Sequence, residues 1–235
     1  MKTISAERME APTWELSAIK YADSMLPEKM AFAGGREDVS HPIVFVIYCI
    51  RTRNKLILVD PGCDTMPGFK MENFIQPVDA LAQAGIQPES VTDIIITHAH
   101  HDHMDAVRHF PGSMVHIQKE EYAAGRQYIP AECPVNIFED GTVIADCVRV
   151  QRIGGHTKGS CIISLPDESA TWVLCGDACY FRENLTRQIP IGTSKDLDES
   201  KAFLQEYVRE KYRVLICHDP GNLQEEFKNG SIAGI

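Results

Sequence analysis

The longest uninterrupted apolar run in the sequence, residues 43–50, is eight residues long. That is less than half of the roughly 18–20 residues needed to span a bilayer, and it suits a buried strand. Shorter runs of the same kind recur at 55–60, 90–97, 114–118, 148–153, 161–165, 171–175 and 213–217. Between them, residues 74–85, 119–125 and 198–211 place apolar side chains at helical spacing, and Gly85 ends the first of these as a C-cap. Polar residues 51–54 separate the first two runs as the turn of a hairpin. Strands and helices interleave over the whole length, with no internal repeat, low-complexity tract or Ser/Gly linker. The pattern predicts an α/β protein of one domain spanning 1–235, preceded by a loop-rich N-terminal segment over 1–41.

Charge narrows the partners. The 33 acidic and 23 basic residues give a formal net charge of −10, the wrong sign for a chain that gains affinity by neutralising phosphates. Nucleic acid is not expected as a partner, and neither is a membrane. The first ten residues lack the apolar stretch of an export signal, which predicts a cytoplasmic location. Eight cysteines are too dilute for a disulfide framework and contain no C-x-x-C pair, so reduced core thiols are expected.

Four of the nine histidines fall within residues 98–103, directly after the run at 90–97. Imidazole and carboxylate are the usual ligands of zinc and similar divalent ions. His98 and His100, two apart, point the same way in an extended segment, while Asp102 and His103 follow where the chain bends into a helix and can face a second point. Three isolated residues match in type and setting. His156 lies in a glycine-rich turn between two strands, Asp177 follows the strand at 171–175, and His218 ends the strand at 213–217. Each sits at the C-terminal lip of an apolar strand, where α/β folds gather functional groups.

The order H-x-H-x-D-H (His98, His100, Asp102, His103), then His156, Asp177 and His218, resembles the metallo-β-lactamase superfamily over roughly residues 42–218. The resemblance implies an αββα sandwich, two mixed β-sheets face to face with helices on the outer faces. It also implies a two-metal site in which one ion takes His98, His100 and His156, the other takes Asp102, His103 and His218, and Asp177 bridges them. Zinc is the first choice for this donor set, with Co, Mn or Fe also suited. Asp60 matches the strand-end acid that buttresses a ligand imidazole in many members.

Residues 177–184, Asp-Ala-Cys-Tyr-Phe-Arg-Glu-Asn, are similar to a segment of N-acyl homoserine lactonases whose tyrosine reaches the substrate carbonyl, and Tyr180 is the matching position. The implied reaction is hydrolysis of a lactone or ester, with Tyr180 as oxyanion donor and Asp102 as proton carrier. Three positions depart from that pattern: Met104-Asp105-Ala106, where Asp105 is expected at the pocket mouth; Lys158 and Ser160 in the His156 turn; and His101. Residues 25–27 and 30–32, apolar although loop-like, are candidates for one wall of an acyl-chain trough, with simple anchoring of a loop as the competing reading.

A glyoxalase II-like thioesterase shares the ligand set but usually carries a C-terminal helical domain, whereas 17 residues follow His218 here. A non-catalytic metal-binding protein is the rival outside the enzymes. A homodimer is compatible with this reading. His41, His109 and His116 show no partner pattern and are expected to be ordinary surface or core residues.

Overall fold

A computed structural model describes residues 14–145 and 147–221 and the backbone of a short strand at 232–233. The export-signal reading of the first ten residues falls outside this range. Along the chain run β1 (Trp14–Pro27), α1 (Glu28–Ala31), β2 (Ser40–Thr52), β3 (Leu56–Val59), α2 (Pro77–Gln83), β4 (Asp93–Ile95), α3 (His101–Met104), β5 (Met114–Gln118), α4 (Lys119–Gly125) and β6 (Val135–Phe138). There follow β7 (Gly141–Ala145), β8 (Val148–Arg152), β9 (Cys161–Pro166), β10 (Thr171–Leu174), α5 (Arg182–Thr186), α6 (Leu197–Tyr207), β11 (Tyr212–Leu215) and β12 (Ile232–Ala233). One sheet has the order β12-β1-β2-β3-β4-β5-β6 and the other β11-β10-β9-β8-β7, both mixing parallel and antiparallel pairs.

Alternation along β2 shows how the layers are built. Val44, Val46, Tyr48 and Ile50 pack between the sheets with Trp14, Trp172 and Leu174, while Ile43, Phe45, Ile47 and Cys49 pack outward under α2 and its flanking loops. A strand covered on both faces needs apolar residues at every position, which is why 43–50 reads as an unbroken run. The second sheet repeats the device: Trp172 faces inward, while Val173 joins Phe203 and Leu204 of α6. This is the expected αββα sandwich. Among the described residues, no helix is long and apolar enough to cross a membrane. All eight cysteines are buried and unpaired by disulfide.

The loop-rich reading of 1–41 is corrected over its described part, residues 14–41. Residues 14–27 form a strand paired antiparallel with almost the whole of β2. A register shift between Lys20 and Ala22 switches the inward side: of the even-numbered positions, Leu16 and Ala18 face the other sheet, whereas Ala22 and Leu26, beyond the shift, face the outer layer. Such a bulge breaks the period-two signal on which a strand is recognised. Strands β6 and β7, also absent from the sequence reading, are short edges with half-exposed polar positions.

Candidate metal centre

Every one of the seven residues singled out by the motif arrives at the same end of the sandwich. Strand β4 stops at Ile95, and the extended segment after it carries His98 and His100 before α3 turns Asp102 and His103 inward. The turn after β8 brings His156, a short 3-10 turn after β10 brings Asp177, and the chain beyond β11 brings His218. The His156 turn depends on Gly154 and Gly155, both with positive φ, and a Cβ on Gly155 would stand 2.7 Å from Ser200 Oγ.

The donor atoms form two groups. His98 Nε2 lies 3.0 Å from His100 Nδ1, which lies 2.9 Å from His156 Nε2. Asp177 Oδ2 faces this group, 3.7 Å from His98 Nε2 and 3.4 Å from His156 Nε2. In the second group Asp102 Oδ2 stands 3.4 Å from His103 Nε2 and 3.7 Å from His218 Nε2. The other oxygen of Asp177, Oδ1, is 3.2 Å from His103 Nε2 and 3.3 Å from His218 Nε2. Asp177 thus presents one oxygen to each group.

These residues fit a pair of divalent cations. A tetrahedral ion with bonds of about 2.0–2.1 Å separates its ligand atoms by about 3.3 Å, close to the spacing within each group. His103 Nε2, buried and aimed inward, has no hydrogen-bond partner, as befits a nitrogen reserved for a cation. The outward nitrogens are held. Asp60 Oδ2 lies 2.8 Å from His103 Nδ1, the Val44 carbonyl 2.9 Å from His218 Nδ1, Thr97 Oγ1 3.1 Å from His98 Nδ1, and Thr193 Oγ1 3.2 Å from His156 Nδ1. Such partners fix the ring orientation and leave the inner nitrogen free to ligate. Asp60 is itself gripped by the backbone N–H and hydroxyl of Thr97, and it holds a left-handed φ of 52°.

Electrostatics points the same way. Burial pushes the His98 imidazole well below its ordinary value and His156 down to about 4, so both are neutral donors at pH 7. Burial would depress His103 too, but Asp102, Asp177 and Asp60 outweigh it and hold that ring well above the usual range. His218 is raised likewise, burial being outweighed by Cys217 and Asp177. The carboxylates here demand positive charge. Burial, reinforced by Asp177, lifts the Tyr180 phenol well above its ordinary value and keeps it a proton donor.

Over the donor groups opens a cavity of about 510 Å³. Tyr180, Asp102 and Thr193 line it beside the imidazoles, and Leu26, Met30, Ile43 and Phe45 form an apolar wall. Of the trough candidates, Leu26 and Met30 are therefore present, whereas Met25 is 51% exposed and Phe32 packs on Phe181 outside this cavity. Asp105 is not at the mouth. Its carboxylate accepts from the Asp64 backbone and Arg108, which draws it under the loop. His101 does line the cavity, 2.8 Å from the Thr65 carbonyl. The three remaining histidines each meet an acid, His116 on Asp93, His109 on Asp64 and His41 on Glu28.

Thr97, Thr193 and Lys195 lie at this site without having been singled out from the sequence. A loop hydroxyl or lysine has no spacing that separates it from the many others.

The model of the metallo-beta-lactamase superfamily matches residues 45–218. An N-acyl homoserine lactonase of a Bacillus species is 26% identical over 200 residues, covering 73% of this chain and 80% of that protein. The Bacillus cereus lactonase is 27% identical over 199 residues with the same coverage. Among solved structures, a quorum-quenching N-acyl homoserine lactone hydrolase superposes with a TM-score of 0.77 at 24% identity, over 93% of this chain and 96% of that one. A dizinc quorum-quenching lactonase in complex with a product, N-hexanoyl-L-homoserine, gives 0.70 at 20% identity, over 91% and 90%.

Proposed function

Because this chain belongs to the metallo-β-lactamase superfamily, we propose that it is a dinuclear metal-dependent hydrolase that opens a lactone ring, above all that of an N-acyl homoserine lactone. The observation that carries the reading is the pair of donor groups meeting at Asp177 beneath a cavity into which Tyr180 and Asp102 both face. Lactonase relatives at 26–27% identity support the substrate class.

His98, His100, His156 and Asp177 would hold one cation, and Asp102, His103, His218 and Asp177 the other. Bound there, divalent cations bring the pKa of water towards about 7 and polarise a carbonyl oxygen. The protein supplies the rest. The apolar wall of Leu26, Met30, Ile43 and Phe45 takes the acyl chain and excludes water from it. Tyr180 keeps its proton and donates it in a hydrogen bond to the carbonyl oxygen as negative charge develops there. Asp102 accepts the proton of the attacking water on its carboxylate and delivers it to the ring oxygen as the C–O bond breaks, so the product is a hydroxy acid.

The test is a pH-indicator assay on metal-replete protein against lactones, thioesters and β-lactams. N-acyl homoserine lactones should be opened fastest, and chelation should abolish the reaction. Faster turnover of thioesters would replace the lactonase reading with the thioesterase one. No turnover of any ester would leave a metal-binding protein.

A further inference from the structure

Thr193 joins two functional side chains that come from different loops. Its Oγ1 lies 3.2 Å from His156 Nδ1 and 3.2 Å from the Tyr180 hydroxyl. Donor and acceptor counting orients this pair of bonds. His156 Nε2 faces the donor group, so its proton sits on Nδ1, and that N–H donates to Thr193 Oγ1. The threonine hydroxyl then needs an acceptor for its own proton, and the Tyr180 oxygen is the acceptor within its reach. Tyr180, receiving that bond, turns its proton away from Thr193, towards Asp177 and the cavity.

We infer that Thr193 is a positioning residue with two linked effects: it fixes the His156 imidazole for the metal, and it sets the Tyr180 hydroxyl as a donor to substrate. The order is His156 N–H to Thr193, Thr193 O–H to Tyr180, Tyr180 O–H to the carbonyl oxygen. The inference deepens the function proposed above and, for its second effect, rests on it. Threonine offers in one side chain the acceptor and the donor that the chain of bonds needs. Valine keeps its shape and provides neither, and serine keeps both.

The experiment uses Thr193→Val, Thr193→Ser, Tyr180→Phe and the Thr193→Val/Tyr180→Phe double variant of the full chain. Zinc affinity is measured by competition with a chromogenic chelator. Thr193→Val should weaken it about tenfold or more, the scale of losing an outer hydrogen bond to a ligand histidine, and Thr193→Ser should restore it. In lactone hydrolysis with zinc saturating, Thr193→Val should lower kcat about tenfold or more with KM little changed. The double variant should be no slower than Tyr180→Phe within about twofold, because the second effect acts through the phenol. Wild-type zinc affinity in Thr193→Val, a kcat equal to wild type, or full multiplication of the two kcat losses would each overturn the inference. The chelator competition requires no lactone, so a wild-type protein that opens none would sink the proposed function while the Thr193–His156 bond is still decided by metal affinity.

Discussion

Asp60 Oδ2 stands 2.8 Å from Nδ1 of His103, across 43 positions of sequence, and the same oxygen accepts the Thr97 hydroxyl at 2.6 Å. One carboxylate thereby braces a ring of the second donor group directly and reaches His98 of the first through Thr97. Asp60→Asn should lower the affinity for the second equivalent of zinc about 10–100-fold. Isothermal titration would read it, and two unchanged binding steps would reduce Asp60 to a strand-end residue.

Tyr180→Phe removes one donor and leaves the ring packed against His218, 5.8 Å away centroid to centroid. Turnover should fall about ten- to a thousandfold, with metal content by elemental analysis unchanged. Wild-type kcat in this variant would assign Tyr180 to packing alone.

Leu26 and Met30 test the acyl wall. Deleting residues 24–34 outright would remove the end of β1 that pairs with Pro42 and Ile43, so point changes are the cleaner instrument. In Leu26→Ala/Met30→Ala, the preference in kcat/KM for a ten-carbon over a four-carbon acyl chain should shrink about 5–30-fold. That corresponds to roughly 1–2 kcal/mol of lost apolar contact. An unaltered preference would return these side chains to anchoring the sheet.

Far from the site, Asp93 is buried between Lys55 Nζ at 2.7 Å and His116 Nε2 at 2.7 Å. Burial alone would raise its carboxyl, but the hydrogen bonds from His116 and Lys55 outweigh it and bring it down to about 2. The folded value lies below the unfolded one, so the stabilisation is complete above about pH 4 and is lost as pH falls through 2. A shift of this size is worth roughly 2 kcal/mol. Asp93→Asn should lower Tm at pH 7 by about 4–8 °C and flatten the acid limb of stability between pH 4 and 2. A variant with the parent's pH profile would contradict the assignment.

What could be read beforehand followed from repetition and spacing. Val44 and Phe45 face opposite layers and both had to be apolar, so β2 was visible. His98, His100, Asp102 and His103 crowd into six positions, so the first part of the site was visible as well. Strand β1 was hidden because its bulge near Tyr21 exchanges the two faces halfway along. Asp105 was misplaced because its neighbours Asp64 and Arg108 are set by folding and by nothing in the adjacent sequence. Thr97 and Thr193 matter through the second atom they touch, which no local pattern records.

The donors are divided between the two sheets: four follow β4, and the other three follow β8, β10 and β11. Ions held there would act as a clasp across the seam of the sandwich, and their binding energy would resist any sliding of one half over the other. At free zinc a thousandfold above its dissociation constant, each ion would add about 4 kcal/mol, or roughly 8–16 °C in Tm. Calorimetry of stripped and reloaded protein would see this directly, and identical melting curves would mean that the halves hold together without help from the ions.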